Sequence, residues 1–262
     1  MDPVCSSGEV SSIPAPSGSR LSDDELAAQI AEGAGRLLLG VRHGGLLDGR
    51  LIGDAGDQLA QAWIGAVLRR RRPRDAVLSE EAEDVGDRST AERVWIIDPL
   101  DGTSEFSYGT ADWAVHVALT EGGRPTAAAV SIPARGELYR SDEVDTVGGP
   151  LTGRIAVSRF GGSYESAHVA NQLGLQRVSI GSAGAKAMAV VRGDVDAYVH
   201  SGGQYEWDNC APVGVCEAAG LHCSRLDGSE IRYNQRVPYM PDFVICRREI
   251  ADDVLAALDA VW

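Results

Sequence analysis

Arg93-Val-Trp-Ile-Ile97 runs straight into Asp98-Pro-Leu-Asp101-Gly102-Thr103-Ser-Glu-Phe106, and this join decides how the rest of the chain is read. The β-branched and aromatic run predicts a strand. Pro99 biases Asp98 away from helical backbone, and Gly102 allows a tight turn. Thr103-Ser-Glu-Phe106 then predicts a short helix whose first N–H groups have no partner in the chain. Carboxylates hold hard cations through oxygen, and free helix N-terminal amides favour phosphate oxygens. Two carboxylates and such an amide group a few residues apart point to metal-assisted phosphate chemistry.

On the N-terminal side, Ser22-Asp-Asp-Glu25 has the form of a capping box. Leu26, Ile30, Ala34, Leu37 and Val41 follow at helical spacing, and His43-Gly-Gly45 ends that helix. A second helix is predicted over 57–72, with Leu59, Trp63, Ile64, Val67 and Leu68 as its apolar stripe and Pro73 as its stop. Its four closing arginines suit the negative end of a helix dipole and are not read as a nucleic-acid contact. Short strands are predicted at 76–78, 94–97, 113–120, 126–132 and 136–140. Residues 21–147 therefore read as an α+β half, an antiparallel sheet backed by two helices, and Gly148-Gly-Pro150 as a linker. Residues 151–262 alternate strands (155–157, 178–180, 195–200, 243–246) with helices (164–173, 183–191, 208–219, 249–261), which predicts a smaller α/β half. Residues 1–20 are rich in Ser, Pro and Gly and read as a disordered tail, not as a secretory signal.

The 262 residues carry 38 acidic against 24 basic side chains, a net charge of −14. That balance disfavours nucleic-acid polymers and anionic membrane surfaces as partners. No apolar run approaches the roughly 18–20 residues of a membrane span. An acidic protein with an anionic substrate needs local positive charge, which bound divalent cations supply. The five cysteines, Cys5, Cys210, Cys216, Cys223 and Cys246, form no CxxC pair and are odd in number, which reads as buried free thiols in a reducing cytoplasm. Cys210, Cys216 and Cys223 with His222 lack the spacing of a zinc framework.

Three further acidic sites stand beside the Asp98 segment. Ser79-Glu80-Glu81 follows a short strand, Asp57 starts the second predicted helix, and Asp208 sits in Glu206-Trp207-Asp208 ahead of a helix of small and apolar residues. Singly, Asp57 and Asp208 read as N-caps and Glu80 and Glu81 as solvated charges. Together with Asp98 and Asp101 they read as a ligand set. Trp95, Ile96 and Ile97 read as sheet core, Trp207 as a packing wedge, and His116 as a core residue. Gly181-Ser-Ala-Gly184 lacks the third glycine and the downstream ribose acid of a dinucleotide site.

With these residues in view, the chain resembles the inositol monophosphatase superfamily of Mg²⁺-dependent, lithium-sensitive phosphatases. Trp95-Ile-Ile-Asp98-Pro-Leu-Asp101-Gly-Thr103-Ser-Glu-Phe106 is similar to its first signature. Glu206-Trp207-Asp208-Asn-Cys-Ala211-Pro-Val-Gly, ending in Glu217-Ala-Ala-Gly220, is similar to the second. The likeness spans about 21–262. Within the superfamily the chain looks like the CysQ-type, actinobacterial nucleotide-bisphosphate phosphatases. That likeness rests on Val178-Ser-Ile-Gly181-Ser-Ala-Gly-Ala-Lys186-Ala-Met188, Gly203-Gln-Tyr-Glu206 and Arg232-Tyr-Asn234-Gln. Where many relatives carry Ser-Arg-Ser-His, this chain has Ser158-Arg159-Phe160-Gly161.

The resemblance implies a layered α/β/α/β/α sandwich of the sugar phosphatase type and a homodimer. It implies two or three Mg²⁺ per site, held by Glu80, Asp98, the Leu100 carbonyl, Asp101 and Asp208. Asp57, Glu80 and Thr103 would activate water, and Leu100, Asp101, Gly102, Thr103, Ser182, Lys186, Glu206 and Asp208 would bind substrate. The implied reaction takes the 3′-phosphate off 3′-phosphoadenosine 5′-phosphate to leave AMP, with the sulfated form as a further candidate and a place in sulfate assimilation. The rivals are an inositol-1-phosphatase with fructose-1,6-bisphosphatase activity and, in another class, a non-catalytic metal- and phosphate-binding protein.

Overall fold

The computed structural model describes residues 21–81, 88–159 and 162–261. The expected tail, Cys5 and the Phe160-Gly161 part of the departing segment lie outside them. In chain order, α1 (Asp23–His43), α2 (Gly49–Arg71), β1 (Ala76–Ser79), β2 (Arg93–Asp101), α3 (Thr103–Ser107), β3 (Ala114–Glu121), β4 (Arg124–Ile132) and β5 (Glu137–Arg140) come first. Then follow β6 (Arg154–Ser158), α4 (Tyr164–Gln172), β7 (Gln176–Ile180), α5 (Ala183–Val191), β8 (Ala197–Tyr205), α6 (Glu206–Ala218), β9 (His222–Ser224), β10 (Tyr239–Cys246) and α7 (Ala251–Asp259). The capping box forms: Glu25 N–H donates to Ser22 Oγ at 3.0 Å and Ser22 N–H to Glu25 Oε2 at 2.9 Å.

Side-chain alternation on β2 builds the layers. Trp95 and Ile97 pack with Leu26, Ile30, Ile64 and Leu68 of α1 and α2, whereas Val94 and Ile96 pack with Met188 of α5 and Val213 of α6. The first sheet, ordered β1-β2-β3-β4-β5, is thus buried on both faces. The second, ordered β7-β6-β8-β10-β9, turns Tyr198, Phe243 and Ile245 toward α5 and α6. Its Val199, Val244 and Cys246 pack with Val169 of α4 and with Val254 and Leu258 of α7. Five layers result, the α/β/α/β/α sandwich.

Three local readings need correction. The first sheet is not wholly antiparallel: β1 runs parallel to β2, with Ser79 opposite Ile97. Helix α2 begins at Gly49, so Asp57 lies inside it and is no N-cap. Gly53 and Gly56 of α2 serve close packing: a Cβ on Gly53 would stand 2.7 Å from Thr103 Cγ2, and one on Gly56 3.2 Å from Phe106. Strand β8 runs on past His200 through Gly202 and Gly203 to Tyr205, and β9 carries too few residues to show a pattern.

Candidate active site

The motif at the end of β2 works through a bulge. Asp98 stands opposite His116 of β3, and Asp101 opposite Ala114, so three steps on β2 match two on β3. In a regular strand, side chains three apart face opposite sides of the sheet. The extra residue in Pro99-Leu100 brings both carboxylates to the inner face, and proline, with no N–H to donate, suits a bulge. Gly102 follows at φ +86°, and its carbonyl accepts from Phe106 N–H to open α3. A Cβ there would come 2.9 Å from Ser182 Cβ.

Two groups of carboxylates converge. Oxygens of Asp98, Asp101 and Asp208 lie within 4.8 Å of one another, as do oxygens of Asp57, Glu80 and Glu81. The parallel β1–β2 pairing brings Glu80 to this place: its N–H donates to the Ile97 carbonyl, one residue before Asp98. Thr103 Oγ1 lies 3.4 Å from Asp57 Oδ2 and 3.2 Å from the Leu100 carbonyl oxygen, so its single proton can serve either. The remaining oxygen of Asp57 and Oδ2 of Asp98 are buried without a hydrogen-bond partner.

Crowding shows in the protonation equilibria. Burial, then Glu80 and Glu81, push Asp57 up to about 8. Desolvation, then Asp208, Glu81 and Asp101, push Glu80 up to about 7. Desolvation and Asp101 raise Asp208 to about 6, against the N–H of Tyr205, which donates to its Oδ2 at 2.6 Å. Asp98 is raised well above the usual carboxylate range by burial and by its neighbours Asp101, Glu80 and Asp208.

Asp101 moves the other way. Burial raises it, but His116, the Gly184 amide and Lys186 together hold it below its ordinary value. The N–H groups of Ala183 and Gly184, at the start of α5, donate to its two oxygens at 3.1 and 2.6 Å. His116 Nε2 lies 3.2 Å from Asp101 Oδ2, while Nδ1 lies 3.2 Å from the Trp207 carbonyl, which can only accept. Nδ1 therefore carries a proton. His116, read from sequence as core, is fully buried but belongs to the site wall; period-two alternation against Asp98 was the signal that could have found it.

The remaining candidates are more committed to the fold. Ser182 takes φ +43° and caps α5, its Oγ accepting from Ala185 N–H at 3.0 Å. Lys186 is buried, bonds the Ser182 carbonyl and lies 5.2 Å from the Tyr198 ring centre; burial lowers its pKa against the pull of Asp101, Glu105, Asp112 and Asp208. Both oxygens of Glu206 are taken by backbone amides, Asn234 at 2.6 Å and Gln235 at 2.8 Å, so it braces that turn. Arg159 pairs with Asp112, which Arg135 also holds. Cys210, Cys216, Cys223 and Cys246 are free thiols.

The donors in both groups are carboxylate oxygens, the chemistry of hard divalent cations. The partnerless buried oxygens of Asp98 and Asp57, and the burial and mutual repulsion that raise Asp98, Asp208 and Glu80, fit a site that positive ions complete. Among the described residues, no helix is long and apolar enough to cross a membrane.

The model of the inositol monophosphatase family matches residues 48–261. The chain is 54% identical over 258 residues to the 3′-phosphoadenosine 5′-phosphate phosphatase of Mycobacterium leprae, covering 92% of this chain and 95% of that protein. It is 30% identical over 203 residues to the 3′(2′),5′-bisphosphate nucleotidase CysQ of Escherichia coli, covering 71% of this chain and 81% of that one. Among solved structures, CysQ from Bacteroides thetaiotaomicron superposes with a TM-score of 0.73 at 26% identity, over 85% of this chain and 96% of that one. An inositol monophosphatase from Anabaena shares the fold, with a TM-score of 0.73 at 22% identity over 91% and 98% of the two chains.

Proposed function

Because the chain belongs to the inositol monophosphatase family, we propose that it is a phosphatase that removes the 3′-phosphate of 3′-phosphoadenosine 5′-phosphate, giving AMP and inorganic phosphate. The observation that carries the reading is the convergence of Asp98, Asp101 and Asp208 within 4.8 Å, with Asp98 Oδ2 left partnerless, beside the mouth of α3. The substrate class follows the relatives named for that nucleotide, one of them 54% identical to this chain. The finer proposals are Mg²⁺ as the ion, two or three per site, inhibition by lithium, action on the sulfated nucleotide in sulfate assimilation, a homodimer, and a cytoplasmic setting.

Glu80, Asp98, the Leu100 carbonyl, Asp101 and Asp208 would hold the ions. Bound divalent cations would neutralise the charge that grows on the entering and leaving oxygens of an in-line displacement. Thr103 Oγ1 can donate its hydrogen bond to Asp57, 3.4 Å away, and so turn a lone pair toward water as a better acceptor of the water's proton. Burial, then Glu80 and Glu81, raise Asp57 to about 8; bound cations would offset that negative charge and favour the carboxylate form that can accept from Thr103. The Gly102 and Thr103 amides would grip the phosphate oxygens. Asp208, at the start of α6, stands where the ester oxygen and sugar would lie. Ser182 and Lys186 would line the nucleotide side, and Glu206 would contribute through the turn it braces at Asn234 and Gln235.

The test is phosphate release with and without Mg²⁺ from 3′-phosphoadenosine 5′-phosphate, inositol 1-phosphate and fructose 1,6-bisphosphate. Preference for the nucleotide is the expected result. Preference for the inositol or fructose ester overturns the substrate assignment. No Mg²⁺-dependent release from any of them makes the chain a non-catalytic binder.

A further inference from the structure

Beside Asp208 stands a group of aromatic rings anchored on the fold, with Trp207 packed against the core and Tyr239 over Gly203, yet left partly open to solvent. Tyr205 and Tyr239 are 48% and 49% exposed. The Tyr205 ring lies flat on Trp207, centroids 4.7 Å apart and planes within 8°, and Tyr239 meets Tyr205 at 81° with centroids 6.1 Å apart. Tyr239 is the cross-strand partner of Tyr205 in the β8–β10 pairing. A stack formed only for packing would bury these rings; half of each tyrosine is left to solvent instead. The preceding residue, Gln204, turns its amide inward to the Tyr198 hydroxyl, so alternation along β8 sends Tyr205 outward.

The position is fixed with respect to the carboxylates. The N–H of Tyr205 donates to Asp208 Oδ2 at 2.6 Å. The backbone that carries the ring is therefore bonded directly to the carboxylate of Asp208, a member of the Asp98–Asp101–Asp208 group. A surface of flat π-faces suits a flat π-ligand, and a nucleobase stacks on such rings whatever its hydrogen-bonding edge. A polyhydroxylated ring without a π-face gains little there.

We infer that Tyr205, backed by Trp207 and flanked by Tyr239, is the stacking platform for the nucleotide base and hence a specificity-determining residue. This rests on the nucleotide reading above. The phosphate group and the base then bind in separate places, the first at the carboxylates and α3, the second at the rings.

The experiment compares kcat and KM for 3′-phosphoadenosine 5′-phosphate and inositol 1-phosphate in the wild-type enzyme, Tyr205→Ala, Tyr205→Phe and Tyr205→Trp. Removing the ring is expected to raise KM for the nucleotide by about ten-fold or more, the size of one base–aromatic stack. The nucleotide-to-inositol ratio of kcat/KM should fall by the same factor, and the Phe and Trp variants should restore it. AMP binding should quench Trp207 fluorescence in the wild type and do so about ten-fold more weakly in Tyr205→Ala. The platform is overturned if Tyr205→Ala keeps the wild-type ratio, if it lowers kcat/KM for both substrates equally, or if Phe fails as Ala does. A wild-type enzyme that ignores the nucleotide brings down the substrate reading itself, and the inference with it. Wild-type nucleotide preference retained in Tyr205→Ala brings down the platform alone.

Discussion

Asp98 and Asp101 sit three residues apart on one bulged strand and share one face, yet the molecule treats them oppositely. Asp98 has one oxygen bonded by the Leu100 amide and the other buried and bare, and its carboxyl is driven well above the usual range. Asp101 meets two amides of α5 and His116, and is held below its ordinary value. The difference lies in what faces each one. Around Asp98, besides burial, stand Asp101, Glu80, Asp208 and Asp57, more negative charge. Opposite Asp101 the second half of the chain supplies the positive end of a helix, as a helix dipole requires. One carboxylate thus has both oxygens hydrogen-bonded within the protein, and the other has one oxygen without a protein partner.

The comparison can be broken most sharply by isosteric neutralisation. Asp98→Asn and Asp101→Asn should each lower kcat by at least about 10²-fold, since each removes a charged ligand from a preorganised electrostatic site. Their stabilities should part. Without metal, Asp98→Asn relieves repulsion and should raise Tm. Asp101→Asn weakens the cap on α5 and should lower Tm, by an amount corresponding to about 1 kcal/mol. Thermal denaturation in chelator reads both, and equal shifts in the same direction would remove the contrast.

A second test uses pH. The folded-state pKa of Asp57, about 8, lies above its ordinary value of 3.8. The folded protein therefore holds a proton that the unfolded chain has lost between those values, and stability falls as pH rises through that window. The metal-free protein should be more thermostable at pH 5 than at pH 8. Added Mg²⁺ should raise Tm more at pH 8, where the carboxylates repel. A flat Tm across the window in chelator would show that the crowding is not felt.

The smallest effect concerns the seat of Thr103. Gly53→Ala places a methyl 2.7 Å from Thr103 Cγ2 and 2.8 Å from Ser107 Oγ. Overpacking of this kind costs about 1–3 kcal/mol. It should also lower kcat more than it raises KM, because α3 shifts away from Asp57. Urea denaturation together with steady-state kinetics checks both; wild-type stability would mean that α2 and α3 are not pressed together.

Most elements were legible because their signals are local. The capping box at Ser22, the strand before Asp98 and the helix over Ala183–Val191 need only neighbours in sequence. The readings that failed depended on distant partners. Asp57 was read as the start of a helix that in fact begins at Gly49; the helix carries Gly53 and Gly56 because Thr103 and Phe106, elsewhere in the chain, approach them closely. The parallel β1–β2 pair that sets Glu80 beside Asp98 has no sequence signature, since strands that short carry no orientation signal. His116 was read as core because an apolar strand conceals a single polar residue, and its alternation toward the Asp98 face tells only once the partner strand is known.

By itself the sequence determined the donor types: oxygen-rich, acidic segments set at the ends of strands and starts of helices, which is the chemistry of hard cations and phosphate. Tertiary structure alone decided which of those carboxylates are satisfied and which are left bare. Charge interactions act across a few ångströms of low-dielectric interior, and only folding brings α5 against Asp101 while leaving Asp98 facing its own kind.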